Sequence, residues 1–258
     1  MARVRKTAQV ERIAATPVHV PYVCPELAAW NERWAVPFDV EPLIVSCRVL
    51  GAICLPDGHL ALDGLLAAAA VMTTGQPPAL TPRDCVSVEI PVRREPHGRF
   101  HLASFALFEV ERHGLGHTNR RFPLEEAQQI GNAKLRRINL SSGPSKSYRI
   151  PRAQSYVRDG IITWYAMGAP MPIRELLACI GYLGKKRSVG LGRVVPGSWT
   201  VAPCDPWDGF PVVRDGRPLR ALPTDWPGLR EYEPAYRTIS YPYSDQTRQM
   251  LCAVPVGP

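Results

Sequence analysis

Hydrophobic and polar positions along this chain change period several times between residues 42 and 202, and each change marks an element. "PLIVSCRVLGAICL" (42 to 55) is almost continuously apolar and rich in β-branched residues, which predicts a strand. "LALDGLLAAAAVMTTG" (60 to 75) is a run of strong helix formers that stops at Gly75. "CVSVEIPVRR" (85 to 94) alternates residue by residue, "EPHG" turns, and "RFHLASFALFEVER" (99 to 112) alternates again, the pattern of a hairpin. "GIITWYAM" (160 to 167) predicts another strand. In "PIRELLACIGYL" (172 to 183), Ile173, Leu176, Leu177, Ile180 and Leu183 fall at helical spacing, and "GRVVPGSWTV" (192 to 201) closes the series as a strand. With residues 112 to 158 set aside as an insertion, and the hairpin counted as one unit, the order is close to β-α-β-β-α-β. That is an α+β split-βαβ sheet, ferredoxin-like or RRM-like.

The flanks are patterned differently. Residues 1 to 41 read as an N-terminal arm with a short helix near 25 to 34 that carries Trp30 and Trp34. The insertion opens with the Gly- and His-rich "RHGLGHTNRR", read as a loop, and continues with a short predicted helix near 123 to 137 and the loop "NLSSGPSKSYRIPR". Residues 203 to 258 are rich in proline and aromatics, which predicts an extended wrap over the core. There is no internal repeat of fixed period.

Composition narrows the class. At 258 residues and 45% apolar, the chain can bury one large core or two small ones. No apolar run approaches the length of a membrane span, and the first residues lack the apolar core of a signal peptide, so the expectation is a cytoplasmic protein with no membrane partner. The seven cysteines are odd in number, widely spaced and without a C-x-x-C pair, so they are expected to be reduced thiols. No cofactor and no metal is expected.

Charge adds a location. The chain's formal net charge is +8. Between residues 112 and 158, ten bases (Arg112, Arg120, Arg121, Lys134, Arg136, Arg137, Lys146, Arg149, Arg152, Arg158) stand against Glu125 and Glu126, a net +8 that equals the whole excess. Such concentration fits a polyanionic partner; the plain alternative is a solvated basic surface. A second basic feature, "IGYLGKKRSVGLGRV" (180 to 194), sets Gly181, Gly184, Gly190 and Gly192 around Lys185, Lys186, Arg187, Ser188 and Arg193. It is not a P-loop, because Gly181 and Gly184 are too close and Lys186 follows Lys185. It is not a dinucleotide fingerprint either, because Val195 stands where the third glycine belongs and the loop runs from helix to strand. Two readings stay open: a glycine-shaped phosphate cradle, or a C-cap glycine followed by a solvated turn. Tyr148, Tyr156 and Phe122 could stack on bases or belong to the core.

Candidate chemistry is sparse. His97 and His101, then His113 and His117, repeat an H-x3-H spacing that suits proton transfer or metal binding, but the first pair flanks a turn and the second lies in a predicted loop where exposed histidines are common. Asp57 and Asp63 in "DGHLALDG" sit at a helix start, where capping and turning are the expected roles. No paired carboxylates, H-E-x-x-H, nucleophile elbow or Walker sequence is present.

Across residues 42 to 202 the chain resembles the CRISPR-associated RAMP superfamily, on the strength of "LDGLLAAAAVM" (62 to 72) as first helix and "IGYLGKKRSVGLGRV" as the glycine-rich loop between last helix and last strand. The single ferredoxin-like unit and long basic insertion are most similar to the subunit that caps the 5′ handle of the guide RNA, in the manner of type IV effectors. The resemblance implies a non-catalytic RNA-binding subunit whose partners are the guide-RNA handle, the backbone and large subunits of a CRISPR effector, and target DNA near its flanking motif. It implies an RNA grip made by Gly184, Lys185, Lys186, Arg187, Ser188, Gly190, Gly192 and Arg193 of the loop. Arg120, Arg121, Lys134, Arg136, Arg137, Lys146, Tyr148, Arg149 and Arg152 would belong to a thumb-like insertion. The alternative is a metal-independent endoribonuclease that matures guide RNA, and a weaker one is a general nucleic-acid-binding protein.

Overall fold

The computed structural model describes residues 21 to 55, 58 to 77, 79, 84 to 120, 148 to 185, 187 to 243 and 245 to 256. Among them are three helices, α1 (Pro25–Ala35), α2 (Leu62–Thr73) and α3 (Pro170–Ala178). The strands are β1 (Glu41–Leu50), β2 (Ala52–Ile53), β3 (Val110–Arg120), β4 (Tyr148–Val157), β5 (Ile161–Gly168), β6 (Arg193–Val194), β7 (Thr200–Pro203), β8 (Val213–Arg214), β9 (Arg217–Pro218), β10 (Leu222–Pro223), β11 (Glu233–Arg237) and β12 (Met250–Val254). The fold is mixed α+β, with antiparallel sheets.

Strand β1 is the spine. It pairs antiparallel with β5 from Glu41↔Gly168 to Arg48↔Ile161, and on its other side with β7 and, further along, with β6. Beyond β5 the segment 101 to 107 adds antiparallel bridges, Ala103↔Ala166 and Leu107↔Thr163. The order across the sheet is therefore β7 (with β6), β1, β5, then 101 to 107. Alternation puts Leu43, Val45, Cys47 and Val49 of β1 and Ile162, Trp164 and Ala166 of β5 on one buried face. Helix α2 covers that face with Leu62, Leu66, Ala69 and Ala70, and α3 with Ile173, Leu176 and Leu177.

Departures from the sequence reading have local causes. The predicted strand 42 to 55 breaks at Gly51, whose φ of 71° belongs to the left-handed region, and β2 continues in a different sheet. The predicted strand 192 to 201 is likewise split into β6 and β7 around Gly197 (φ 72°). Helix α3 starts at its N-terminal proline and ends at Ala178, earlier than the apolar spacing predicted, although Ile180 and Leu183 are still buried. The 85 to 112 hairpin has its turn, bridged Arg94↔His101. Its first arm bridges the end of β5 at Val92↔Gly168, but at 87 to 89 it is held by a helix: Trp30 Nε1 donates to Glu89 O, Asn31 Nδ2 donates to Ser87 O, and Asn31 Oδ1 accepts from Glu89 N. The described part of the N-terminal arm is thus docked, and Gln76 clamps it further by accepting from Cys24 N and donating to Tyr22 O. The helix expected near 123 to 137 lies outside the described residues.

The C-terminal region is more structured than a wrap. Asp215 (φ 53°) and Gly216 (φ 82°) form the tight turn of the β8–β9 hairpin. A separate antiparallel sheet has the order β10, β12, β11. Val212, Leu222, Ile239, Cys252 and Val254 share a second apolar cluster with Phe100 and Phe105. At its heart Arg220 is completely buried. Its guanidinium donates to the carbonyls of His101, Ala103 and Ile239 and to Tyr243 Oη, lies 3.4 Å from Asp63 Oδ2, and stacks 4.6 Å from the Phe100 ring centroid. Tyr243 donates in turn to Asp63 at 2.6 Å, and burial pushes its phenol well above the usual range. Asp63 is therefore an internal counter-ion as well as a first-turn acceptor: its Oδ1 also accepts from Gly64 N at 3.0 Å, while the N-cap residue Ala61 makes no side-chain cap.

A second charged group lies beside this one. Arg94 forks onto Glu89 at 2.7 and 3.0 Å, and His101 Nε2 lies 3.7 Å from Glu89. The adjacent His101, then Arg94, hold the Glu89 carboxyl down to about 2, while burial lowers the His101 pKa. Both shifts have the same sign for stability. The unfolded chain takes up a proton on histidine near 6.5 and on glutamate near 4.5 that the folded chain resists. Stability is therefore expected to be fully present at pH 7, to decline below about 6.5, and to fall further between about 4.5 and 2. Urea midpoints measured between pH 7 and 5 check this, and His101→Gln should flatten that interval. Asp63→Ala, which leaves Arg220 charged and buried without its carboxylate, should cost about 3–5 kcal/mol by urea unfolding at pH 7.

Candidate nucleic-acid interface

The glycine-rich loop is tied off at its base. Leu183 N donates to Gly192 O at 2.8 Å, Val194 N to Gly181 O at 2.9 Å, and Tyr182 bridges Arg193. Gly181 is absent from the positive-φ positions, so it is not a left-handed helix cap. Gly184 (φ 74°) and Gly192 (φ 67°) are needed for close approach: a Cβ would come within 2.6 Å of Cys54 O at Gly184 and 2.0 Å of Leu183 O at Gly192. The amides of Lys185 and Gly192 donate to Cys54 O and Ala52 O, and that of Gly190 to Arg187 O within a 3₁₀ turn (Arg187–Val189). These N–H groups are committed to carbonyls, so the phosphate cradle read from the sequence is not built from them. What the loop offers an anion is side-chain charge: Lys185, Arg187, Ser188 and Arg193 are exposed.

The start of the basic insertion is a strand and not the expected loop. β3 and β4 form a ribbon in continuous antiparallel register from Arg112↔Tyr156 to Arg120↔Tyr148, with an irregularity between Val110 and Arg112. Its glycines have a steric purpose. A Cβ at Gly114 would stand 3.1 Å from the Tyr156 ring, and one at Gly116 would stand 1.9 Å from Gln154 Nε2. The two glycines let these large β4 side chains lie across β3. Above Tyr156 sits Arg112, with Cζ 3.5 Å from the ring centroid. By alternation the other ribbon face carries His113, Leu115 and His117.

The two basic features share a strand. On one side β2 pairs with β4 through Ala52↔Tyr156 and Ile53↔Ser155. On the other, the carbonyls of Ala52 and Cys54 receive the glycine-loop amides. Tyr156 and Ser155 of β4 and Lys185 and Gly192 of the loop are thereby fixed along one margin of the fold.

The predicted contacts distribute unevenly over this margin. Arg120, Tyr148 and Arg149 sit by backbone register at the far end of the ribbon. Arg152 is half-buried, opposite Gly116, and its Nε is buried without an acceptor. Arg121, Phe122, Lys134, Arg136, Arg137, Lys146 and Lys186 lie outside the described residues. Arg112 and Tyr156 emerge as a pair that sequence reasoning did not join, since only the ribbon register opposes them. The histidines do not converge. His97 is exposed in the turn, whereas His101 is buried. Four strand positions separate His113 from His117, about 13 Å, too far for one metal ion. Among the described residues no group of three or more His, Cys, Asp or Glu could hold a metal. No helix among them is long and apolar enough to cross a membrane. None of the seven cysteines forms a disulfide, and burial raises the Cys47 thiol to about 12.

No protein-family model matches the chain, and no curated protein matches it in sequence.

The two loop glycines should differ sharply on substitution. Gly192→Ala combines a left-handed φ with a clash against Leu183 O and should destabilise by more than about 2 kcal/mol; Gly190→Ala, whose Cβ meets nothing, should cost about 1 kcal/mol. Urea unfolding of the two variants compares them directly.

Proposed function

We propose that this chain is a non-catalytic guide-RNA-binding subunit of a CRISPR effector ribonucleoprotein, gripping the 5′ handle with the glycine-rich loop and the β3–β4 ribbon. The observation that carries the reading is the alignment of both basic features on the two sides of β2. RNA phosphates would be met by the exposed Lys185, Arg187 and Arg193 of the loop and by Arg112 of the ribbon. The sheet order supports the ferredoxin-like assignment: taking 101 to 107 as the second strand of a βαββαβ unit and β7 as the fourth, the order is 4-1-3-2, with both helices on one face. In this reading the remaining surface serves the backbone and large subunits and target DNA near its flanking motif.

Changing Lys185, Lys186 and Arg187 together to Ala tests the grip. RNA affinity should fall, and the log–log salt slope should flatten by about 2, at about 0.7 per lost phosphate contact. Fluorescence anisotropy across a salt series measures both; an unchanged slope removes the loop from the interface. RNA sequenced from the chain purified with its genomic neighbours should share one repeat-derived 5′ end. Cleavage of that RNA by the wild type, abolished by His113→Ala or His117→Ala with binding retained, would instead favour the endoribonuclease.

A further inference from the structure

The ribbon holds an arrangement that phosphate binding alone does not use. A Cβ at residue 114 would press on the Tyr156 ring at 3.1 Å, and the Arg112 Cζ lies 3.5 Å from that ring's centroid, close enough to require the two planar groups to lie roughly face to face. The irregularity at the start of β3 matters here: it offsets the register between Val110 and Arg112, bringing Arg112 opposite Tyr156. Arg112 is exposed and, among the described residues, has no carboxylate within ion-pair distance, whereas its neighbour Arg158 is paired with Glu109 at 2.5 Å. Cation–π attraction holds the guanidinium on this aromatic face, a placement that a phosphate contact by itself does not require. Stacked there, it loses the freedom to follow a phosphate and presents a second, outward planar face to solvent.

A planar cation fixed parallel to a protein surface is suited to one partner above all, the π-face of a nucleobase. We infer that Arg112, laid on Tyr156, is the stacking platform for one unpaired base of the bound RNA, an inference that rests on the RNA-binding reading above. Tyr156 does not stack on the base itself, because Arg112 covers its ring and Gly114 lies close to its edge; it acts as a positioning residue that sets the plane of Arg112. Phosphates on either side of that base would meet the loop cations and the remaining ribbon arginines. The site is blind to base identity, since stacking needs only a π-face, so it orients the strand without reading its sequence.

The test compares two probes on the full chain by fluorescence anisotropy: a 12-nucleotide oligoadenylate RNA, and a phosphodiester strand of equal length built from abasic tetrahydrofuran units. Wild type should bind the base-bearing strand on the order of tenfold more tightly than the abasic one. Arg112→Lys keeps the charge but not the plane. It should erase most of that preference while leaving abasic affinity and its salt slope unchanged. Gly114→Val reaches the same end without altering any charge, because a side chain there displaces the Tyr156 ring; it too should lose the preference, with thermal melting confirming that each variant is folded. Full retention of the preference in both folded variants overturns the platform while RNA binding stands. Failure of the wild type to bind either strand overturns the RNA reading and the platform with it.

Discussion

Past Leu50 the chain cannot stay in the sheet it has built, because Gly51 takes a left-handed backbone conformation that turns β1 into β2. That single bend sends one continuous apolar stretch into two sheets. Residues 41 to 50 organise the helix-backed core, and residues 52 to 54 become the seam that joins a long ribbon to a glycine-rich loop. No side chain crowds Gly51, so the requirement is purely conformational. The basic margin inherits its geometry from this point: the loop is held by main-chain bonds to Ala52 and Cys54, and β4 by its register with Ala52 and Ile53.

A different interaction secures the opposite half. Arg220 brings a charge into a fully buried site, where its two terminal nitrogens find three carbonyls, a phenol and a carboxylate drawn from three separate segments. A pair of this kind adds little net stability compared with a well-packed apolar replacement, and its larger effect is to make alternatives costly. In this chain it specifies that the start of α2, the segment 101 to 103 and the C-terminal region can meet in only one way. Asp63 and Tyr243 complete the set, so that no one of the three can change alone.

The core was legible in sequence because burial imposes its own period. β1, α2, β5 and α3 were read within a few residues from apolar spacing, and the turn at 95 to 98 from "EPHG". What escaped was long-range pairing. The glycines of "RHGLGHTNRR" looked like loop residues because nothing local says that Tyr156 and Gln154 must lie over them. Arg112 and Tyr156 were read separately, one as part of a charge cluster and one as a stacking candidate, and only register brings them together. Asp63 looked like a cap because its counter-ion is 157 positions away. The loop glycines left a phosphate cradle and a solvated turn both open in the sequence, and nothing local says that Gly184 and Gly192 serve close backbone approach.

The docking of α1 has a bearing on how this molecule keeps company with others. Ser87 O, Glu89 N and Glu89 O are the alternate main-chain groups that an incoming strand would seek, and Trp30 and Asn31 already occupy all three with side-chain atoms. A helix thus stands in for a neighbouring strand along this stretch. Assembly by sheet extension is closed there, and neither aggregation nor strand exchange can begin at that border without first peeling the helix away.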